Sequence, residues 1–156
     1  MSDPDTIPTR SRSTSGNAGR VKARRCAVQA LYQWQVAGAT PETILAEFLK
    51  EREVDKVDVE YFATLTRDIP REMDELRALL QPLLDRAWER VGPVERSVLL
   101  IGAYELKHCL HIPYRVVVNE GIELSKMFGA DEAHRYVNGV LDRLARELRA
   151  IEISAG

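Results

Sequence analysis

An all-α fold, a compact bundle of six to seven helices, is predicted by three features of this chain. Apolar residues recur at three- and four-residue steps over most of its length. β-Branched residues nowhere alternate with polar ones over a useful stretch. Capping residues, prolines and glycines fall between the periodic segments. The 156 residues fit one domain with a real core, and 45% hydrophobic with 29% charged residues is ordinary for a soluble globular protein.

Residues 1–18 are rich in Ser and Thr, carry Pro4, Pro8 and Gly16, and hold almost nothing apolar. Such a segment buries too little surface to offset its ordering entropy, so it is expected to be disordered, with the folded domain spanning 19–152. The first helix is expected to start at Gly19 or Arg20. Its apolar face is Ala23, Ala27, Ala30, Leu31 and Trp34, and Gly38 is its stop. Thr40, Pro41 and Glu42 supply a cap, a first-turn proline and a dipole-compatible acid for a short helix burying Ile44, Leu45, Phe48 and Leu49. The charged stretch 51–57 reads as a loop.

Asp58 caps a long run whose stripe includes Phe62, Leu65, Ile69, Leu76 and Leu80. Pro70, which removes the hydrogen bond to the Thr66 carbonyl, is expected to kink or break it. Gly92-Pro93 opens the next helix and Ile112-Pro113 separates it from another, running from Tyr114 to Phe128 and ended by Gly129. Asp131 is the expected cap of the last helix, whose stripe is Val137, Val140, Leu141, Leu144, Leu148 and Ile151.

No run of about 18 apolar residues is present, so no membrane partner is expected. Without a signal-peptide core, and with Cys26 and Cys109 far apart, the chain reads as cytoplasmic with reduced thiols. The net charge of −2 is unevenly spread. Residues 1–25 hold Arg10, Arg12, Arg20, Lys22, Arg24 and Arg25 against Asp3 and Asp5, while the remainder is acidic. A basic arm on an acidic body points to a polyanion, although a solvated basic tail has the same composition. Four of these cations fill the expected first turns of a helix, where the macrodipole disfavours them unless an anion docks there.

Catalytic chemistry finds no support. His108, Cys109 and His111 crowd one helix end without a second ligand cluster, so no metal is expected, and no phosphate loop or nucleophile elbow occurs. Ser97 and Ser125 read as small packing hydroxyls. Gly121 and Gly139, each unfavourable in a helix by about 1 kcal/mol relative to alanine, are expected where helices cross tightly. No enzyme activity and no cofactor are expected.

At several motifs the chain resembles the NusB family. These are Ala27-Val28-Gln29-Ala30-Leu31-Tyr32 after an arginine-rich start, Val94-Glu95-Arg96 leading to Tyr104-Glu105-Leu106, and Asn119-Glu120-Gly121-Ile122-Glu123-Leu124. Phe128-Gly129 followed by Val137-Asn138-Gly139-Val140-Leu141-Asp142 completes the set. The likeness spans residues 20 to about 148. It implies two small helical subdomains and a transcription antitermination factor. Such a factor pairs with NusE, binds single-stranded boxA RNA in nascent ribosomal transcripts, and joins an RNA polymerase antitermination complex. On that template Arg20, Lys22, Arg24, Arg25 and Arg96 face RNA, Phe128 and Tyr136 lie near its path, and Tyr32 and Glu95 meet NusE. Val21 interrupts an arginine run found in some relatives, and Leu100 stands where a second cation can follow Arg96, departures that weaken RNA contact on this reading. Two other readings stay open: a protein-interaction module, homodimeric and without RNA, and a truncated NusB-like domain of a ribosomal RNA methyltransferase.

Overall fold

The computed structural model describes residues 6–51 and 54–156, with side chains from Asn17 onward. Among the described residues eight α-helices follow one another: α1 (Thr6–Ala37), α2 (Pro41–Glu51), α3 (Val59–Arg71), α4 (Met73–Leu80), α5 (Pro93–His108), α6 (Tyr114–Phe128), α7 (Ala133–Leu148) and α8 (Ala150–Ala155). Two short 3-10 turns, Gln81–Leu83 and Trp88–Arg90, lie between α4 and α5, and no strand occurs among the described residues.

Two helical groups meet at α5. The segments α1, α2 and α3 pack on one another, while α4, α6 and α7 gather around α5, which also receives α1. The sequence of α5 explains its central place: Ser97 through Leu106 is buried without interruption. Gly102 and Gly121 let α7 approach closely, since a Cβ would lie 2.7 Å and 2.6 Å from Leu141 side-chain atoms. Ser97 and Ser125 are buried and donate to the carbonyls four residues back, Pro93 and Gly121, as packing hydroxyls do. Gly139 differs from expectation. A Cβ there would meet only Arg143, at 3.8 Å, so no helix crossing requires this glycine.

Most helix ends follow their local chemistry. Gly38 adopts φ +74° and its amide donates to the Trp34 carbonyl, ending α1. The Asp58 carboxylate accepts the Tyr61 amide at 3.0 Å and caps α3. The break expected near Pro70 falls at Glu72, whose φ of −104° and ψ of 18° separate α3 from α4. Leu49, placed on the buried stripe of α2, is instead exposed.

Three boundaries differ from the sequence-based expectation. The segment expected to be disordered lies partly outside the described residues, but from Thr6 its backbone is helical, so α1 begins well upstream of Gly19. Once a packed segment has nucleated a helix, each added residue gains one hydrogen bond, and polar residues can extend it. Asp131 does not cap α7. The position belongs to Glu132, held in the left-handed region at φ 69° without a side-chain cap. The final helix also ends early. It breaks at Arg149, whose buried guanidinium donates to the carbonyls of Glu105, Leu106, Cys109 and Ile112, at and just beyond the end of α5. Beyond this break Ile151 is 87% exposed rather than on a core stripe.

Candidate nucleic-acid and partner interface

Helical periodicity sorts the cations of α1. Arg24 shares a face with Ala27, Val28 and Leu31, all buried, whereas Lys22, Arg25, Gln29, Tyr32 and Val36 follow one another along the opposite, more open stripe. Arg24 is only 3% exposed, and its Nε donates to Glu105 Oε2 at 2.7 Å. Glu120 lies 3.9 Å away, and the Tyr61 hydroxyl donates to the same Glu105 oxygen. Its assignment as an exposed RNA contact is therefore corrected: the guanidinium is consumed inside the protein.

The electrostatics of this junction fit a closed network. Burial opposes the charge on Arg24, but Glu105 more than offsets it and holds the guanidinium pKa above its ordinary value. Burial and the Glu105 charge push the Tyr61 phenol up, and burial raises the Cys109 thiol. Arg20 lies 5.9 Å from the centroid of the Tyr61 ring, within cation–π range. Gly19 completes the junction, because its carbonyl accepts the Asp58 amide at 3.1 Å and an added Cβ would crowd that amide at 3.3 Å.

Lys22 and Arg25 are half-buried and form no ion pair among the described residues. With α1 extended to Thr6, they sit in the middle of a helix rather than at its positive end. The macrodipole therefore neither penalises nor favours them. What fits them to a phosphate is positive charge, without an ion pair among the described residues, on an accessible stripe. Tyr32, 41% exposed, continues that stripe.

A second group forms where α5 meets α1 and the Trp88 turn. Arg96 Nε donates to Gln35 Oε1 at 2.8 Å, with the guanidinium 6.0 Å from the Trp88 ring centroid. Leu100, one turn further along α5, is fully buried. It belongs to the core, so its apolar character subtracts nothing from a nucleic-acid surface, contrary to expectation.

Tyr136 lines a cleft of about 340 Å³ with Arg86, Glu95, Asp131 and Glu132. Arg86 lies 4.4 Å from the centre of its ring, and the buried Tyr136 hydroxyl has Asp85 as its polar neighbour but no hydrogen bond of good geometry among the described residues. Burial and the nearby Asp85 charge push this phenol up. Glu95 accepts the Ala130 amide at 3.4 Å, which places it in the Tyr136 cleft rather than beside Tyr32. Phe128 is half-buried against the core at the end of α6.

Arg86, Gln35 and Trp88 escaped sequence reasoning, because each acts through neighbours remote in sequence. Glu105 and Tyr61 escaped it as well, although an acid inside the apolar run of α5 signals a buried partner. Among the described residues, no group of three His, Cys, Asp or Glu is placed to hold a metal ion. No helix among the described residues is long and apolar enough to cross a membrane.

The fold and surface define a helical binding module, with cations that form no ion pair among the described residues along one helix and a separate arginine-backed aromatic cleft between the start of α5 and the start of α7. The NusB family model matches residues 21–146, and the chain belongs to the NusB family. It is 51% identical over 137 residues to the transcription antitermination protein NusB of Alcanivorax borkumensis, covering 88% of this chain and 91% of that protein. Identity to the same-named protein of Thiobacillus denitrificans is 46% over 134 residues, covering 86% of this chain and 92% of that one. Among solved structures, T. maritima NusB superposes with a TM-score of 0.73 at 29% identity, covering 81% of this chain and 90% of that one. A structure of antitermination factors NusB and NusE in complex with dsRNA superposes at 0.72 and 28% identity, covering 83% of this chain and 98% of that one.

Proposed function

We propose that this protein is an RNA-binding transcription antitermination factor. With NusE it binds the boxA element of nascent ribosomal RNA and, within an RNA polymerase complex, promotes processive transcription. Similarity to NusB proteins over nearly their whole length carries the reading. The surface supplies a physical means. Arg20, Lys22, Arg25 and Arg96 engage phosphates, and Tyr136 or Phe128 offers a ring face to an unstacked base. Tyr32, on the open stripe of α1, faces NusE, whereas Glu95 belongs to the Tyr136 cleft and is not part of that surface. Binding is then electrostatic capture followed by stacking, and it needs no bond-making step.

The test is fluorescence anisotropy with labelled boxA RNA, as a single strand and as a duplex, beside a scrambled strand, each with and without NusE. The boxA strand binds most tightly, and NusE strengthens it further. Equal affinity for boxA and the scrambled strand in the presence of NusE overturns the reading.

A further inference from the structure

Arg96 is held in an unusual way for a surface cation. Its Nε–H donates to Gln35 Oε1 at 2.8 Å, and the Trp88 ring lies beside the guanidinium. It forms no ion pair among the described residues. The nearby Glu89 instead pairs with Arg77 at 2.8 Å. The terminal NH₂ groups of Arg96 thus remain without a carboxylate, on a side chain with little rotational freedom.

Gln35 is the reason for that rigidity. Its Nε2 donates to Ser97 Oγ at 2.8 Å, to the Pro93 carbonyl at 3.2 Å and to the Leu31 carbonyl at 3.3 Å. The Ser97 hydroxyl spends its one proton on the Pro93 carbonyl, at 2.8 Å, and so must accept from Gln35. Carbonyls accept only. The two amide hydrogens are shared among these three acceptors, each of which requires the amide nitrogen, so the amide oxygen can point only at Arg96. Ser97 is fully buried, so this orientation is fixed from inside the protein.

We infer that Gln35 is a positioning residue for RNA binding. It orders Arg96 so that the free NH₂ groups meet a phosphate without a further loss of rotamer freedom, and Gln35 itself makes no RNA contact. The inference rests on the proposed function. It adds that affinity at this position is set on α1 through a neutral side chain.

The experiment compares wild type, Q35M, R96A and Q35M/R96A by anisotropy on labelled single-stranded boxA RNA across a salt series, with thermal melts of each. Freeing one long side chain weakens binding about two- to ten-fold. Q35M shows that loss with an unchanged salt slope, because the cation remains. R96A makes the slope shallower by about 0.7. The double variant binds like R96A alone, since Gln35 acts only through Arg96. In NMR spectra the Arg96 Nε–H loses its protection from exchange in Q35M. Should Q35M melt early, S97A, which removes one of the three anchors, gives a smaller loss with the same unchanged slope.

The outcomes separate cleanly. Wild type that fails to bind RNA defeats the proposed function. R96A that weakens binding while both Q35M and S97A leave it intact overturns the Gln35 inference alone. A double variant weaker than R96A also overturns it, because Gln35 then acts elsewhere.

Discussion

Arg24 and Arg25 are neighbours in sequence and opposites in structure. Arg24 points into the junction of α1, α3, α5 and α6, paired with Glu105 and flanked by Tyr61 and Glu120. Arg25 lies on the more open stripe with no ion pair among the described residues. One cation holds the molecule together, and the other is available to a ligand. Charge counts along a chain do not separate the two roles, whereas helical phase does.

The largest effect that tests this contrast is on stability. Arg24→Ala leaves Glu105 charged and buried without its partner, so unfolding free energy drops by about 3–5 kcal/mol in chemical denaturation. Arg25→Ala stays within about 0.5 kcal/mol of wild type. Equal losses from the two variants would erase the distinction.

Tyr136 comes next. Its ring is partly exposed in the cleft beside Arg86, so Tyr136→Ala weakens RNA binding by about 1–3 kcal/mol if a base stacks there, with the salt slope unchanged. Its buried hydroxyl shows that the residue also packs, so a modest fall in melting temperature accompanies that loss. A melt that falls with RNA affinity preserved assigns Tyr136 to packing alone.

The smallest effect lies at the break between α3 and α4. The Glu72 carboxylate is 2.7 Å from His108 Nε2 and 3.5 Å from Lys107 Nζ. Burial acts to raise its pKa, but these two partners outweigh it and hold the carboxyl below its ordinary value of 4.5. A carboxyl depressed on folding stabilises the protein above its unfolded pKa and loses that contribution as pH falls through the folded value. The stability difference between wild type and Glu72→Gln therefore shrinks below about pH 4.5. A difference that grows on acidification gives the shift the opposite sign.

Much of this fold is legible in the sequence, because local chemistry determines it. Gly38, Asp58, Pro93 and Gly129 stand where helices start or stop, and Val137, Val140, Leu141 and Leu144 of α7 are buried as their spacing requires. The candidate interface is less legible. Arg24 is three, four and seven residues from Ala27, Val28 and Leu31, a spacing that assigns it to the buried face, but the density of surrounding cations obscures that phase. The resemblance puts Leu100 where a second cation can follow Arg96, but its place within the buried run of α5 governs it. Arg149 is harder still. Its carbonyl partners lie about 40 residues away, and no local pattern marks a helix broken to cap another.

The most direct test of the division between the two regions is the salt dependence of boxA RNA binding in three proteins. In wild type, four phosphates neutralised by Arg20, Lys22, Arg25 and Arg96 give a slope of log K against log salt near −0.7 × 4, or about −3. Replacing the buried trio together, as R24M/Y61F/E105L, exchanges an internal network for apolar side chains of similar size. It leaves the slope at about −3. K22A/R25A, which keeps the junction intact, brings the slope to about −1.5. The reverse pattern, a shallow slope in the trio variant and a wild-type slope in K22A/R25A, would contradict the account.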